Sequence, residues 1–335
     1  MITLGIETSC DDTSAAILEN DSKVLSSIIS SQDTIHEPFG GIVPELASRR
    51  HMECITLIVE RSLCEARLSL GDISLVSVTQ GPGLIGSLLV GFSYAKALSY
   101  TLKVPFVGVD HMTGHILSAF LEPEIPTFPY IALIASGGTT ALYQVNGFMD
   151  CALLGRTRDD AAGEAYDKVA RLLGLGYPGG PAIAGQALYG NDRSLRFPRA
   201  WLEDNSLDFS FSGLKTAVMN HCNQSSMKNE NVDIAAVCAS FQEAVADVLV
   251  EKSISAVRQK GLDTLVLGGG VSANDHLREQ MTARCDREGI GLFLPDKKNC
   301  TDNGAMIAFS GLKRFQAGIV GTFADDVFSR SHLGR

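Results

Sequence analysis

The chain has 335 residues, 45% of them hydrophobic and 20% charged, which is enough for about two domains with an ample core. Its formal net charge of −10 counts against a protein that binds nucleic acid over its whole surface. RNA would have to be held by local basic patches or with the help of a partner subunit.

The cysteines and the first residues indicate the compartment. None of the eight cysteines forms a C-x-x-C pair, which disfavours a zinc knuckle or a thioredoxin-like motif and favours reduced thiols. A strand begins at once without a basic leader, and no apolar run is as long as a membrane span. We therefore expect a cytoplasmic protein that binds neither a membrane nor DNA.

The first predicted feature is a β-hairpin with a polar turn. Strands at residues 2–7 and 15–18 flank residues 8–14, which contain four hydroxyl groups and the carboxylates of Asp11 and Asp12. An ordinary solvated turn is one interpretation. A turn this rich in polar groups can also cradle a phosphate through its backbone N–H groups.

A helix from Pro44, a buried strand at 75–79 and a glycine-rich loop at 80–86 follow the hairpin. An apolar helix at 87–100 comes next, so the loop could direct backbone N–H groups at an anion. The loop has neither the P-loop lysine nor the G-x-G-x-x-G spacing. A tight structural turn is equally compatible with it.

Two histidines, His111 and His115, follow a strand at 104–109 and are four residues apart. On a helix, that spacing puts both imidazoles on one face, within reach of a single metal ion. Far along the chain, Asp302 offers a carboxylate at a loop-to-helix transition. The spacing leaves open whether it meets the histidines. A metallopeptidase of the His-Glu-x-x-His type needs a glutamate after the first histidine, where this chain has Met112.

The second half of the chain opens like the first. After a proline-rich linker around 123–129, a strand at 130–135, a turn at 136–140 and a strand at 141–145 form another hairpin. Two hairpin-led halves around a ligand cleft are the plan of the actin-like ATPase (ASKHA) fold. We predict this α/β fold, with a mixed sheet flanked by helices in each lobe. The predicted domains are residues 1–127 with 311–335, and residues 128–310.

The rest of the second half offers two further features. A strand at 264–267 ends in three glycines, where a ligand ring can approach the backbone, and Asn274 can cap the following helix or bind a ligand. Arginines interleave with aromatic residues near Trp201, a pattern that can stack bases but more often only packs. The candidate RNA contacts are Arg49, Arg50, Arg193, Arg196 and Arg199.

Eleven short blocks, in this order, give the chain a specific resemblance. They are GIETSCD (5–11), GIVPELAS (41–48), QGPGL (80–84), VDHMTGH (109–115), SGG (136–138), DDAAGE (159–164), DKV (167–169), GYPGGP (176–181), FSFSGLKT (209–216), GGGVSAN (268–274) and TDN (301–303). Nearly end to end, the sequence resembles the TsaD family of the ASKHA superfamily, which synthesises threonylcarbamoyladenosine in tRNA and was once called O-sialoglycoprotein endopeptidase. One departure is Thr139, where the family usually has histidine, so no imidazole role is expected there.

The resemblance implies a set of site residues. A divalent metal, iron(II) in the first place and zinc as the alternative, would be held by His111, His115 and Asp302. Asp11 would support the transfer. The threonylcarbamoyl-adenylate would be bound by Ile134, Ala135, Ser136, Gly137, Gly138, Asp167, Gly180 and Asn274.

The resemblance also implies the reaction and the partners. The threonylcarbamoyl group would pass from threonylcarbamoyl-AMP to N6 of adenosine 37 in tRNAs that read codons beginning with A, and AMP would leave. The partners would be tRNA, an inactive paralogous TsaB-like subunit and a TsaE-like P-loop ATPase.

Three other functions fit parts of the sequence. A kinase or ATPase of the same fold would phosphorylate a small acceptor, whereas tightly bound iron or zinc would favour the transferase. A metallopeptidase lacks its general base, as noted above. A non-catalytic scaffold would not need the complete set of metal ligands.

Overall fold

The computed structural model describes residues 1–21, 23–191, 194–331 and 333–334, so Arg193 lies outside the described residues. The chain divides into two compact units. Unit 1 comprises Met1–Ile125, Gly147–Cys151 and Pro295–Arg335, and unit 2 comprises Pro126–Asn146 and Ala152–Leu294. This division differs from the predicted domains chiefly over residues 295–310, which pack with unit 1. The predicted ligand cleft stays a prediction.

Two five-stranded sheets, one in each unit, form the framework of the described residues. The strands are β1 (Ile2–Glu7), β2 (Thr13–Glu19), β3 (Lys23–Ser30), β4 (Leu75–Gly81), β5 (Phe106–Asp110), β6 (Tyr130–Ala135), β7 (Thr140–Gly147), β8 (Asp150–Arg156), β9 (Thr264–Gly268) and β10 (Gly291–Phe293). The first sheet has the order β3-β2-β1-β4-β5 and the second β10-β9-β6-β7-β8. Both predicted hairpins, β1–β2 and β6–β7, are confirmed.

Helices cover the sheets in both units. They are α1 (Asp33–His36), α2 (Pro44–Ala66), α3 (Ile85–Leu102), α4 (His111–Leu117), α5 (Ala162–Leu172), α6 (Gly179–Ala187), α7 (Ser212–Met227), α8 (Ile234–Lys260), α9 (Asp275–Glu288), α10 (Lys297–Cys300) and α11 (Gly304–Gln316). Among the described residues, none of these helices has the length and apolar character needed to cross a bilayer. The predicted α/β class, with two mixed sheets flanked by helices, is confirmed.

In unit 1, strand direction and helix packing bring distant segments together. Strands β1, β4 and β5 are parallel, so their carboxyl ends lie at one edge of the sheet. Helix α11 lies close against β1. The distance is so short that a Cβ atom on Gly5 would come within 2.0 Å of the carbonyl oxygen of Gly304. The backbone N–H of Gly304 donates to the Ser14 hydroxyl (2.9 Å). These contacts fix the start of α11, two residues after Asp302, beside the first hairpin.

In unit 2, β6 and β9 are a parallel pair buried under helix α8. Their ends meet closely: Gly269, with φ of +86°, leaves no room for a Cβ atom, which would lie 2.4 Å from the carbonyl oxygen of Ala135. Glycine alone satisfies both the backbone conformation and the close approach. The end of β9 and the turn after β6 are therefore neighbours.

Candidate metal centre and substrate-binding turns

Three potential metal ligands converge in unit 1. His111 and His115 occupy successive turns of α4, with their ring centroids 4.7 Å apart. The Oδ1 atom of Asp302 lies 3.3 Å from Nε2 of His111 and 3.1 Å from Nε2 of His115. The three ligand atoms all lie within 4.8 Å of one another. The helical spacing predicted for the histidines is thus observed, and the structure brings Asp302 to them.

A fourth side chain, Glu7, orients His111 by contacting Nδ1, the ring nitrogen on the side away from Asp302. Its Oε2 atom lies 2.9 Å from Nδ1 of His111 and accepts a hydrogen bond from the Thr79 hydroxyl (2.6 Å). Its other oxygen accepts from the backbone N–H of Ser9. A carboxylate on one imidazole nitrogen fixes the tautomer that leaves the other nitrogen free for a metal. Sequence analysis missed this role of Glu7, although a lone carboxylate ending an apolar strand beside a polar turn is a usable signal.

The charges of the cluster favour a cation. Burial would lower the pKa of His111, but the carboxylates of Asp302 and Glu7 raise that pKa well above its usual value. Burial would raise the pKa of Asp302, but His111 and His115 hold it far below its usual value. Two imidazoles and one carboxylate are a ligand set typical of zinc and iron sites. The residues present therefore fit a divalent metal, and three protein ligands leave a coordination position for substrate or water.

The turn that carries Asp11 is held by two hydrogen bonds to His51. Nε2 of His51, on α2, donates to the carbonyl oxygen of Cys10 (3.0 Å), and its Nδ1 lies 2.7 Å from the Thr13 hydroxyl. Burial, followed by the negative charge of Asp302, raises the pKa of Asp11 above its usual value. A carboxylate with a raised pKa is a stronger proton acceptor than an ordinary aspartate.

The glycine-rich loop after β4 packs tightly in this structure. A Cβ atom on Gly83 would lie 2.4 Å from the carbonyl oxygen of Ser9, and one on Gly81 would lie 2.1 Å from that of Phe328. The backbone N–H of Leu84 donates to the Ser9 carbonyl (2.8 Å). Of the two interpretations left open by the sequence, these contacts favour the tight structural turn.

The second hairpin turn lies in unit 2, against the start of α5. Ser136 and Thr139 close the turn through a backbone bond of 2.7 Å and a bond from the Thr139 N–H to the Ser136 hydroxyl (3.2 Å). A Cβ atom on Gly137 or Gly138 would meet no described atom within 4 Å. The backbone N–H of Gly163 donates to the Ser136 carbonyl (3.1 Å), so α5 supports the turn from one side.

The other predicted substrate residues lie on α5, on α6, which packs against α5, and at the start of α9. Asp167, on α5, accepts a hydrogen bond from the backbone N–H of Gly179 (2.8 Å), next to Gly180. Asn274 caps α9 through its Oδ1 atom and donates from Nδ2 to Gln242 (2.7 Å). Gln242 also faces a cavity of about 270 Å³ in unit 2, lined by Ala187, Gly190, Asn191, Ala239, Gln242 and His276.

Most of the arginines flagged for RNA are engaged in ion pairs. Arg49 pairs with Glu45 (2.6 Å) and Arg50 with Glu53 (3.0 Å) along α2. Arg199 pairs with Asp247 (2.6 Å). Contact between these residues and RNA stays a prediction.

Comparisons with known proteins agree closely with this picture. Residues 23–309 match the family described as TsaD, tRNA N6-adenosine threonylcarbamoyltransferase. The protein of that name from Desulfotalea psychrophila is 56% identical over 337 residues, covering 100% of this chain and 98% of that protein. The one from Desulfitobacterium hafniense is 53% identical, covering 93% and 92% of the two chains.

A solved structure supports the fold. HypF from T. kodakarensis superposes with a TM-score of 0.63 at 14% identity, covering 95% of this chain and 48% of that chain. At this identity the likeness concerns the fold alone, and that fold is the actin-like ATPase fold expected from the two hairpins.

Proposed function

The chain belongs to the tRNA N6-adenosine threonylcarbamoyltransferase family, and we propose that it transfers the threonylcarbamoyl group from threonylcarbamoyl-AMP to N6 of adenosine 37 in tRNAs that read codons beginning with A. The observation that carries this proposal is the family match over residues 23–309. It is supported by the cluster of His111, His115 and Asp302.

The reaction joins a weak nucleophile to an activated carbonyl. The N6 amine forms a bond to the carbamoyl carbon, the anhydride C–O bond breaks, and AMP leaves with the electron pair. The lone pair of N6 is delocalised into the purine, so catalysis depends on positioning and on stabilising the charge that develops. Asp11 accepts the N6 proton, a role supported by its raised pKa and its braced turn.

His111, His115 and Asp302 would hold iron(II), with zinc as the alternative, and the bound ion would supply Lewis-acid stabilisation of that charge. Glu7, through its bond to Nδ1, would leave Nε2 of His111 free to bind the ion. The buried position of both histidines limits access of bulk water to the ligands.

In unit 2 the adenylate would lie along the second hairpin turn. The backbone N–H groups of Gly137 and Gly138 would face the phosphate, since both glycines have open space above them. Ile134, Ala135 and Ser136 would line the same site and hold the turn in place through their backbone bonds. Asp167, Gly180 and Asn274 would contact the nucleoside. The cavity of about 270 Å³ in unit 2 is a candidate site for the purine base, because its lining residue Gln242 bonds directly to Asn274.

The protein would act in the cytoplasm with partners. A TsaB-like inactive paralogue and a TsaE-like P-loop ATPase would join it on tRNA. The net charge of −10 fits a subunit that borrows part of its RNA surface from others.

The proposal is tested by mass spectrometry of tRNA nucleosides. The purified protein is incubated with threonine, bicarbonate, ATP, tRNA and the partner proteins, and threonylcarbamoyladenosine is the expected product. Asp302→Ala should abolish it, whereas Asp296→Ala, at an exposed aspartate nearby in sequence, should not. Absence of product from an otherwise competent system would contradict the transferase function, and full activity of Asp302→Ala would contradict the metal assignment.

A further inference from the structure

The C-terminal segment after α11 runs along the first sheet, from the start of β5 past the end of β4 to the end of β5, where α4 and its two histidines begin. The backbone N–H of Gly321 donates to the carbonyl oxygen of Phe106 on β5 (2.8 Å). Lys96, on α3, donates to the carbonyl oxygens of Phe323 (3.0 Å) and Asp325 (2.5 Å). Backbone groups of the segment are therefore bonded to two elements of unit 1.

The same segment then crosses the end of β4. The backbone N–H of Phe328 donates to the carbonyl oxygen of Gln80 (3.1 Å), and the Gln80 amide donates to the carbonyl oxygen of Asp326 (2.7 Å). Phe328 also covers Gly81, whose missing side chain allows the approach. These reciprocal bonds place the following residues over the end of β5.

The last contact reaches the residue that precedes the first metal ligand. The hydroxyl of Ser331 donates to Oδ2 of Asp110 (2.6 Å). The other oxygen of Asp110 accepts from the backbone N–H of Met112 (2.9 Å) and so caps α4. One carboxylate thus links the tail to the helix that carries His111.

We propose that residues 318–331 form a clasp and that Ser331 is a positioning residue for the metal ligands, acting through Asp110. The inference rests on the proposed function, because it assumes that His111 and His115 bind a metal. Helix α4 has only seven residues, and the Asp110 carboxylate bonds its first turn at the point where the helix leaves β5. A hydroxyl on a carboxylate is among the stronger hydrogen bonds, and it holds Asp110 in the rotamer that caps the helix.

The connectivity makes this a closed arrangement. The third ligand, Asp302, is followed directly by α11, and α11 leads into the clasp that ends at Asp110. Asp302 is therefore connected to His111 and His115 in two ways: directly in the cluster, and through α11, the clasp and the Ser331–Asp110 bond. Phe323, within the clasp, contacts the rings of Tyr100 and Phe106 but remains 58% exposed, and Val327 packs against the core of unit 1. The segment is held by these apolar contacts together with its individual hydrogen bonds.

The test uses three variants of the full chain. Ser331→Ala removes the hydroxyl, Ser331→Thr keeps it, and Ser329→Ala is the matched control at an exposed serine two residues earlier. Each metal-stripped protein is titrated with Co²⁺ and followed by visible absorption. We expect Ser331→Ala to bind Co²⁺ about fivefold more weakly, a smaller loss than the roughly 10- to 100-fold typical of direct partners of metal ligands, because Ser331 acts only through Asp110. Ser331→Thr and Ser329→Ala should bind it like the parent.

A second measurement separates positioning from general stability. Hydrogen exchange of a peptide containing Met112 should speed up in Ser331→Ala but not in Ser331→Thr, while the thermal midpoint of the whole protein changes little. Parent-like Co²⁺ affinity in Ser331→Ala, or failure of Ser331→Thr to restore it, would overturn the inference. If the parent itself binds no Co²⁺, the metal assignment fails and the positioning role falls with it. The exchange data would still report whether the clasp holds α4.

Discussion

The Oε2 atom of Glu7 lies 2.9 Å from Nδ1 of His111, although 104 residues separate them along the chain. Glu7 is fully buried and also receives bonds from Thr79 and Ser9, so its carboxylate has no freedom to turn away. Burial would raise the pKa of Glu7, but His111 lowers that pKa, which keeps the carboxylate ionised. The pair therefore fixes the orientation of the His111 imidazole, whose Nε2 atom lies beside Asp302.

Replacing Glu7 with glutamine should weaken metal binding. The amide keeps the shape of the side chain but loses the charge that orients His111, and such outer-shell changes commonly cost about 10- to 100-fold in metal affinity. Competition titration of the metal-stripped protein with a zinc chelator measures the effect. Glu65→Gln, at an exposed position of α2, is the control and should match the parent. Equal affinity in Glu7→Gln would contradict the orienting role.

His51 should control the rate of transfer without affecting the metal. His51→Ala removes one hydrogen bond from the Cys10 carbonyl and one from the Thr13 hydroxyl, and so loosens the turn that carries Asp11. We expect kcat for threonylcarbamoyladenosine formation to fall about tenfold and stability to fall by about 2 kcal/mol. Co²⁺ affinity should not change.

Two comparisons check this prediction. His51→Gln retains an amide that can replace part of the bonding, so its kcat should lie between those of the parent and His51→Ala. Burial lowers the pKa of His51, so the folded protein keeps this histidine neutral. Protonation then favours the unfolded chain, and stability should decline as pH falls below about 6.5. A parent-like kcat in His51→Ala would show that the turn holds without the histidine.

Asp12 should make the metal-free protein less stable at high pH. Burial, followed by the charges of Asp302, Asp11 and Asp33, raises the pKa of Asp12 to about 8. Between about pH 4 and pH 8 the folded protein therefore keeps a proton that the unfolded chain releases, so the free energy of unfolding falls as pH rises through this window.

Asp12→Asn removes this ionisation. In EDTA, urea unfolding should show the variant to be more stable than the parent at pH 8, by at least about 1 kcal/mol, and little different at pH 4. Asp204→Asn, at an exposed site, should give the same difference from the parent at both pH values. A stabilisation that is independent of pH would contradict the assignment to Asp12.

Local patterns in the sequence were enough to predict the two hairpins and the facing histidines. The i, i+4 spacing of His111 and His115 needs only a helix, and the alternating strands need only their neighbours along the chain. The resemblance to a family then added Asp302, which no local rule could have joined to the histidines. Its arrival beside them depends on the close contact between Gly5 and Gly304.

Features without a strong local pattern, or that join distant residues, were not predicted. Strand β8 (Asp150–Arg156) lies at the edge of the second sheet beside β7 and is only partly buried, so its sequence lacks the apolar run of a buried strand. Helix α7 (Ser212–Met227) buries few residues and reads as a polar segment. The bond between Ser331 and Asp110 joins two ordinary polar residues 221 positions apart. The contact between them can be recognised only in the folded structure.

The support of the second hairpin turn by α5 leads to the last prediction, which concerns Gly163. A Cβ atom at this position would lie 2.6 Å from the Ser136 carbonyl oxygen and 2.7 Å from Cα of Gly137. Backbone atoms cannot move aside as a flexible side chain can, so Gly163→Ala must displace the turn. The turn is where the adenylate phosphate is proposed to bind. The variant should therefore bind a non-hydrolysable threonylcarbamoyl-adenylate analogue at least about tenfold more weakly in calorimetric titration. Gly213→Ala, on α7, adds its methyl group where no described atom lies within 4 Å and should bind like the parent.

Co²⁺ affinity, which depends on residues of unit 1, should be the same in both variants. A loss of analogue binding together with Co²⁺ binding would indicate general unfolding, and parent-like analogue binding in Gly163→Ala would move the phosphate away from this turn.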